Sequence, residues 1–162
     1  MTEKEIFVNA WKREFATTLK ILKQLPADKA DFKPDAEKTK SAKDLATMFI
    51  GELGIADGVV NGKVIFGGGM PKFSSYPELL NTFEKTFNSV IPKIEAMSES
   101  DWNSKIAAPV GPKQMGEVRR ADMFWLMLND SIHHRGQFSI YLRMVGAKVP
   151  SIYGPSGDEP WT

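Results

Sequence analysis

The chain has 162 residues, of which 42% are hydrophobic and 25% are charged. A chain of this length and composition predicts one globular domain, residues 1–162, with a substantial apolar core. Its 21 basic and 20 acidic residues leave a formal net charge of +1, which disfavours nucleic acid or an anionic membrane as the main partner.

The absence of cysteine narrows the chemistry that the chain can perform. Disulfides, zinc–thiolate sites and a cysteine nucleophile are excluded, so a metal would need imidazole, carboxylate, amide, carbonyl or thioether ligands. The N-terminal stretch lacks the apolar run of a secretory signal, and no segment is long and apolar enough to span a bilayer. We therefore expect a cytoplasmic protein with no membrane partner.

The first two elements are predicted to be helices. Apolar side chains recur every three or four residues over residues 6–22, which is typical of an amphipathic helix. After a polar, proline-containing connection, a second helix should begin at Ser41, whose hydroxyl can accept a hydrogen bond from an unpaired first-turn amide. The apolar stripe of this second helix continues to residue 59 and includes Met48 and the acidic Glu52.

A loop and a third helix follow. The glycines and prolines of residues 61–77 predict a loop. Three consecutive glycines within it resemble a phosphate-binding turn, but the spacing and the Lys-Ser/Thr ending of a P-loop are missing. The third helix should begin near Pro77, a favoured first-turn residue, and Pro92 is expected to kink it.

The last third of the chain predicts a second long connection, residues 98–116, and a fourth helix over residues 117–145. No strand pair is expected. Gly146 should cap the end of the fourth helix. The tail, residues 147–162, is too rich in proline and glycine to be helical. We expect it to pack on the bundle through its larger side chains, Ile152, Tyr153 and Trp161.

Four long amphipathic helices bury their apolar stripes most simply as an all-α four-helix bundle. The two long connections indicate a topology other than plain up-down-up-down.

Both histidines of the chain lie in the stretch NDSIHHRGQF, residues 129–138. Residues four apart share one face of a helix, so Asp130 and His134 should be neighbours. The helical period places both in an inward-facing sector with Met127, Gln137 and Tyr141, which we interpret as the lining of a pocket. The same period puts His133 at the edge of this sector.

Two interpretations of Asp130 and His134 remain open. The pair can be a buried hydrogen bond that fixes the register of the helix, or it can supply two ligands to a divalent metal. A metal site would need a third ligand from another helix, and Glu52 and Met48 are the natural candidates. Glu52 has an alternative role as the partner of a lysine or arginine at the end of the bundle.

Nucleophilic catalysis by Ser131 is disfavoured, because adjacent helical residues point in different directions and Ser131 therefore does not face Asp130. His133 or His134 could act as a general base, although no second acid with a clear role accompanies it.

The C-terminal sequence HHRGQFSIYLRMVGAKVPSIYGPSGDEPW resembles the signature of the DinB/YfiT-like (damage-inducible-type) superfamily. In that superfamily the last helix carries a metal ligand, three intervening residues and then HRGQ. The upstream stretch FKPDAEKTKSAKDLATMFIGEL resembles the start of the superfamily's second helix. The resemblance implies a four-helix bundle of up-down-down-up order, frequent homodimers, and nickel or zinc held by three histidines. Characterised relatives are thiol-dependent transferases or isomerases, and many others are labelled metal-dependent hydrolases.

The resemblance transfers to this chain residue by residue. His134 matches the last ligand, and Asp130 stands where the middle histidine often lies. Met48 stands at the position of the first histidine, and a thioether is a poor ligand for zinc, nickel or manganese. Glu52, one turn further on, is a candidate substitute.

Other signature residues match as well, namely Arg135, Gly136, Gln137, Tyr141 and Arg143. Gly136 is expected to let a neighbouring helix or the tail approach closely. Arg135 and Arg143 are expected to anchor the acidic part of the tail, Asp158 and Glu159.

Two functions follow as hypotheses. The first is a metal-dependent enzyme, either a thiol-dependent transferase or a hydrolase, that binds nickel, zinc or manganese and acts on a small molecule with or without a low-molecular-weight thiol. The second is a metal-free, catalytically inactive bundle that binds a small molecule or serves as a dimeric interaction protein.

Overall fold

The computed structural model describes residues 1–64 and 69–162, and its longest elements are four helices. They are α1 (Glu3–Leu22), α2 (Ala42–Val60), α3 (Tyr76–Ala96) and α5 (Arg120–Met144). The connections contain a 3-10 turn (Ala27–Lys29), a short helix α4 (Glu99–Asn103) and two strands, β1 (Lys105–Gly111) and β2 (Gln114–Arg119). The loop predicted for residues 61–77 falls partly outside the described residues.

Side-chain caps fix the beginnings of the helices. The predicted cap of α2 is confirmed, because the Ser41 hydroxyl accepts a hydrogen bond from the Asp44 amide at 3.1 Å. Thr2 and Glu5 form a reciprocal capping box at the start of α1. Helix α3 begins at Tyr76, one residue before the predicted start near Pro77, and continues through Pro92 to Ala96.

Gly146 ends α5 as predicted. Its φ of 73° lies in the left-handed region, which glycine adopts without steric cost. The Gly146 amide donates to the Arg143 carbonyl at 3.1 Å, and the Ala147 amide donates to the Leu142 carbonyl at 2.9 Å. This pair of hydrogen bonds is a Schellman motif and satisfies two of the last carbonyls of the helix.

The four long helices form the predicted all-α bundle. Both α1 and α2 pack against α3 and α5, so the consecutive helices α1 and α2 occupy opposite corners of the bundle. This arrangement excludes a plain up-down-up-down order and agrees with the up-down-down-up order that the resemblance implies. The core between the helices is rich in fully buried side chains, among them Phe7, Phe49, Leu53, Phe124, Leu128 and Phe138. None of the helices within the described residues is long and apolar enough to cross a membrane.

The expectation that no strands occur was wrong. Strands β1 and β2 pair in antiparallel register from Lys105 opposite Arg119, with an irregularity near the turn. The sequence conceals the hairpin because Pro109 and two glycines, residues that weaken strands, interrupt it. Only Ile106 and Ala108 of β1 are buried, which is too short an alternation to reveal a strand.

The hairpin also corrects the predicted start of the fourth helix. Glu117 pairs with Ala107 in the hairpin, so α5 begins at Arg120 instead of residue 117. The Arg120 amide donates to the Ser104 carbonyl at 2.9 Å, which ties the start of α5 to the beginning of β1.

The tail lies against α1 and α5. Val149 is buried and Ile152 is partly buried against the core, and Arg143 forms an ion pair with Asp158, as expected. Glu159 pairs with Lys20 of α1 at 2.7 Å, not with an arginine. The expectation that Trp161 packs on the bundle was wrong, because this side chain is exposed.

Candidate metal site

Two facing helices bring an imidazole and two carboxylates together. Glu52 lies in the middle of α2, and Asp130 and His134 lie one turn apart on α5, the helix that packs against it. The Nδ1 atom of His134 is 2.6 Å from Oε1 of Glu52 and 3.8 Å from Oδ2 of Asp130. One ligand atom from each of the three residues lies within 4.8 Å of the others. Within the described parts of the chain this is the one such group of three.

The three side chains differ in depth. The Glu52 side chain is 4% exposed, that of His134 is 12% exposed, and that of Asp130 is 41% exposed. Asp130 therefore lies at the rim of this group. The helical period places it on the same face as His134, but residues on one face of a helix can differ in how deeply they are buried. The deepest of the three side chains comes from α2, and that of Asp130 is the most exposed.

The pKa values of the two deeper groups, Glu52 and His134, are both raised. Burial raises the pKa of Glu52, which the nearby His134 and Ser131 side chains only partly offset. The hydrogen bond to Glu52 raises the pKa of His134 against the opposing effect of burial. The second carboxylate oxygen of Glu52, Oε2, is buried and accepts no hydrogen bond of ordinary geometry, although the Ser131 hydroxyl lies close enough to lower the pKa of the group. A buried carboxylate oxygen is costly unless a hydrogen bond or a metal satisfies it.

A cavity of about 360 Å³ lies beside His134. Gln137 and Tyr141, which the helical period assigned to a pocket, line it, and residues of the connection before α2 complete its wall. Met127 is buried in the core and does not line this cavity. The connection contributes Lys38, Thr39 and Lys40.

Comparison with known proteins identifies the family of the chain. The sequence model of the DinB family matches residues 78–161, just over half of the chain. The chain belongs to the DinB family.

Two solved structures from the same family share the fold. A DinB-like protein from Bacillus subtilis is 18% identical, with a TM-score of 0.73 over 91% of this chain and 96% of that chain. A DinB-like protein from Bacillus cereus is also 18% identical, with a TM-score of 0.76 over 92% of this chain and 97% of that one. No curated protein matches the sequence significantly.

The resemblance to the DinB/YfiT-like pattern assigns Met48 of α2 to the position of a histidine. It is partly buried, packs against the hydrophobic core, and borders a second cavity with Thr47 and Met70. The α2 side chain that forms a hydrogen bond with His134 in this DinB family member is Glu52, one turn further on.

His133 stands apart from the cluster. Its ring is exposed, and its Nε2 atom forms a hydrogen bond of 2.8 Å with the side-chain amide of Gln137, one turn further along α5. The two histidines of this DinB family member are therefore chemically distinct, although they are adjacent in sequence.

Arg135 of the DinB signature has a structural role. Its guanidinium is almost fully buried and forms an ion pair with Glu14 of α1 at 2.6 Å. It also donates to the hydroxyl of Tyr153, which in turn donates to Glu14 at 2.8 Å. Arg135 thus joins α5, α1 and the tail, and the expectation that it holds Asp158 or Glu159 was wrong.

Gly136 does not serve as a point of close approach within the chain. A methyl group at its Cα would meet no atom within 4 Å among the described residues. The expectation that a helix or the tail of the same chain packs against it was therefore wrong.

Sequence reasoning missed Lys38 and Lys40, which line the cavity beside His134. The only indication in the sequence is that both lysines lie within three residues of Ser41, the N-cap of α2. The rest of this connection is typical of a solvent-exposed linker.

Proposed function

We propose that Glu52, Asp130 and His134 bind a divalent metal ion. The observation that carries this proposal is that Glu52, Asp130 and His134 offer three potential ligand atoms within 4.8 Å of one another, and that the buried Oε2 atom of Glu52 accepts no hydrogen bond of ordinary geometry. A cation between the two helices would satisfy this atom and compensate the charges of both carboxylates.

The donor set favours particular ions. Two carboxylates and one imidazole, with no thiolate in the chain, suit manganese, zinc, nickel or ferrous iron better than soft ions such as copper(I). Three protein ligands also leave coordination positions for water or substrate, which is typical of catalytic sites and not of structural ones.

The hydrogen bond between Glu52 and His134 prearranges the two buried ligands. In the absence of an ion, it holds the Nδ1 atom of His134 at 2.6 Å from the Oε1 atom of Glu52. An ion can bind only after the proton between them leaves, so metal affinity should depend on pH.

The most specific function that this geometry supports is a metal-dependent enzyme, either a hydrolase or a thiol-dependent transferase. A bound divalent ion acidifies a coordinated water or thiol. The cavity beside His134 is large enough for a small molecule, and Gln137 and Tyr141 give it polar groups that can orient one. Two assays separate the reaction classes. Loss of free thiol with an electrophilic substrate marks a transferase, and release of acid without a thiol marks a hydrolase.

The alternative is a metal-free bundle that binds a small molecule or assembles as a dimer. It is supported by the Glu52–His134 hydrogen bond, which stabilises the two groups without an ion, and by the packing of Met48 against the core. Homodimer formation stays a prediction of the resemblance under either function.

Metal content separates the two functions. Protein purified without chelators or an affinity tag is analysed for bound metal, and the apo form is then titrated with manganese, zinc and nickel by calorimetry. We expect stoichiometric binding that is lost in His134→Ala and retained in the matched variant His133→Ala, whose ring lies outside the cluster. Absence of binding below roughly millimolar concentration, an affinity of only about 4 kcal/mol, would rule out the metal site.

A further inference from the structure

The wall of the cavity beside His134 contains positively charged side chains that do not belong to the proposed metal site. Its wall contains Lys38 and Lys40 from the connection before α2, and no carboxylate is among the described residues that line it. The neighbouring lysines Lys29 and Lys43 pair with aspartates, whereas Lys38 and Lys40 have no carboxylate within ion-pair distance in the described ranges.

The connection that carries these lysines is held in place by hydrogen bonds. The Asp35 carboxylate accepts from the Glu37 and Lys38 amides at 2.9 and 2.8 Å. The Thr39 hydroxyl donates to the Asp35 carbonyl at 2.7 Å and accepts from its amide at 3.1 Å. The two lysines therefore project from an ordered turn, which lowers the entropic cost of using them in binding.

Tyr141 ties this turn to the wall of the cavity. Its hydroxyl donates to the Lys40 carbonyl at 3.1 Å, and its ring lies edge-on to Phe32 with 6.2 Å between ring centroids. The side chain thus fixes Lys40 relative to α5, the helix that carries His134.

The first amides of α2 do not supply anion recognition here. They are already used, because Ala42 and Lys43 donate to the carbonyls of Phe32 and Ala30. The positive end of the α2 dipole adds to the potential of the lysines without offering a free donor.

We propose that this cavity binds the carboxylate or phosphate group of a small anionic substrate, with Lys38 and Lys40 holding the anion beside His134. This inference rests on the proposed function only in calling the anion a substrate. Binding of the anion itself does not require the metal. With an ion bound, its two positive charges balance the carboxylates of Glu52 and Asp130. The charges of the two lysines then remain uncompensated, so an anion is the complementary ligand.

The test titrates inorganic phosphate and succinate separately into the full-length protein, followed by amide chemical shifts, with and without bound zinc. The chelated apo form separates an anion held by the lysines from one held by the metal, and the two probes separate phosphate from carboxylate recognition. We expect at least one probe to bind both forms and to shift amides of residues 38–45 and 134–141.

The double variant Lys38→Met with Lys40→Met should bind that probe about tenfold more weakly, while the matched variant Lys105→Met on β1 binds it as the parent protein does. Zinc affinity should stay within about twofold in all three proteins, and their melting temperatures report on folding. Unchanged anion affinity in the double variant, or no anion binding by the parent protein, overturns the inference.

Zinc binding without anion binding would leave the proposed metal site intact and remove only the anion site. Anion binding without zinc binding would keep the anion site and overturn the proposed enzyme.

Discussion

The Nδ1 atom of His134 lies 2.6 Å from the Oε1 atom of Glu52, although 82 positions separate the two residues in the sequence. The contact joins α2 to α5 in the centre of the bundle. One oxygen of the carboxylate is satisfied by it, and the other is buried and accepts no hydrogen bond of ordinary geometry. The atoms of a buried ion pair are normally all satisfied, so this relationship supports the proposed cation site.

Replacing Glu52 with glutamine should weaken metal binding while the protein still folds. The amide keeps the size of the side chain and can still contact His134, but it removes the charge and most of the ligand strength. We expect metal affinity to fall by at least about tenfold and the pKa of His134 to drop, because its hydrogen bond to a carboxylate is the largest cause of the raised pKa.

Calorimetric titration with zinc and a titration of the imidazole by NMR measure both effects. Glu117→Gln, an exposed change on β2, serves as the control. Unchanged metal affinity in Glu52→Gln would remove Glu52 from the ligand set.

Replacing Met48 with histidine should create or strengthen metal binding. Met48 precedes Glu52 by one helical turn, so the two side chains share a face of α2. Histidine there would restore the ligand type of the DinB/YfiT-like pattern, and a further strong ligand commonly raises affinity by about tenfold or more. Calorimetric titration compares this variant with Met48→Leu, which keeps the apolar character and adds no ligand. Equal affinity in the two variants would mean that Met48 does not face Asp130 and His134.

The four long helices follow directly from the sequence because each one repeats its apolar side chains over several turns. The cap of α2 at Ser41 and the end of α5 at Gly146 are equally visible, since both depend on local chemistry. The hairpin is not visible, because hydrogen bonding between the two strands, and not the strand preference of the residues themselves, holds Pro109 and the two glycines in strands.

The candidate site was only partly visible for a similar reason. The spacing of Asp130 and His134 predicts their shared face, yet the depth of each side chain depends on how α5 sits against α2. The sequence therefore does not indicate that Glu52 makes the shortest contact and that Asp130 lies at the rim. It also does not indicate that the connection before α2 folds back over the cavity, because the hydrogen bond from Tyr141 to Lys40 joins residues 101 positions apart.

Replacing Arg135 with methionine should destabilise the protein without affecting the metal site. The change removes a buried cation and leaves Glu14, whose side chain is 18% exposed, without its ion-pair partner. Loss of one member of a largely buried pair costs roughly 2–4 kcal/mol at such partial exposure. Urea unfolding measures the loss, and the exposed Arg13→Met should change the free energy of unfolding by less than about 0.5 kcal/mol. A loss of zinc affinity in folded Arg135→Met would contradict the purely structural role.

Acid should release the tail before it unfolds the bundle. Hydrogen bonds from Lys20 and Ser151 lower the pKa of Glu159 to about 2, and the Val149 amide and Arg143 lower the pKa of Asp158. A carboxyl group whose pKa is lowered by folding stabilises the folded form above its ordinary pKa, and the stabilisation is lost as the pH falls through the lowered value. Docking of the tail should therefore be complete above about pH 5 and weaken progressively between about pH 4.5 and 2.

Hydrogen exchange of the Val149 and Ser151 amides, which donate to these two carboxylates, measures the release. In the double variant Asp158→Asn with Glu159→Gln, the protection of these amides relative to their intrinsic exchange rates should already be low at pH 6 and should change little on acidification. Amides in the middle of α2 and α5 report on the bundle in the same spectra. Equal protection of Val149 and Ser151 at pH 6 and pH 3, relative to those amides, would show that the carboxylates do not hold the tail.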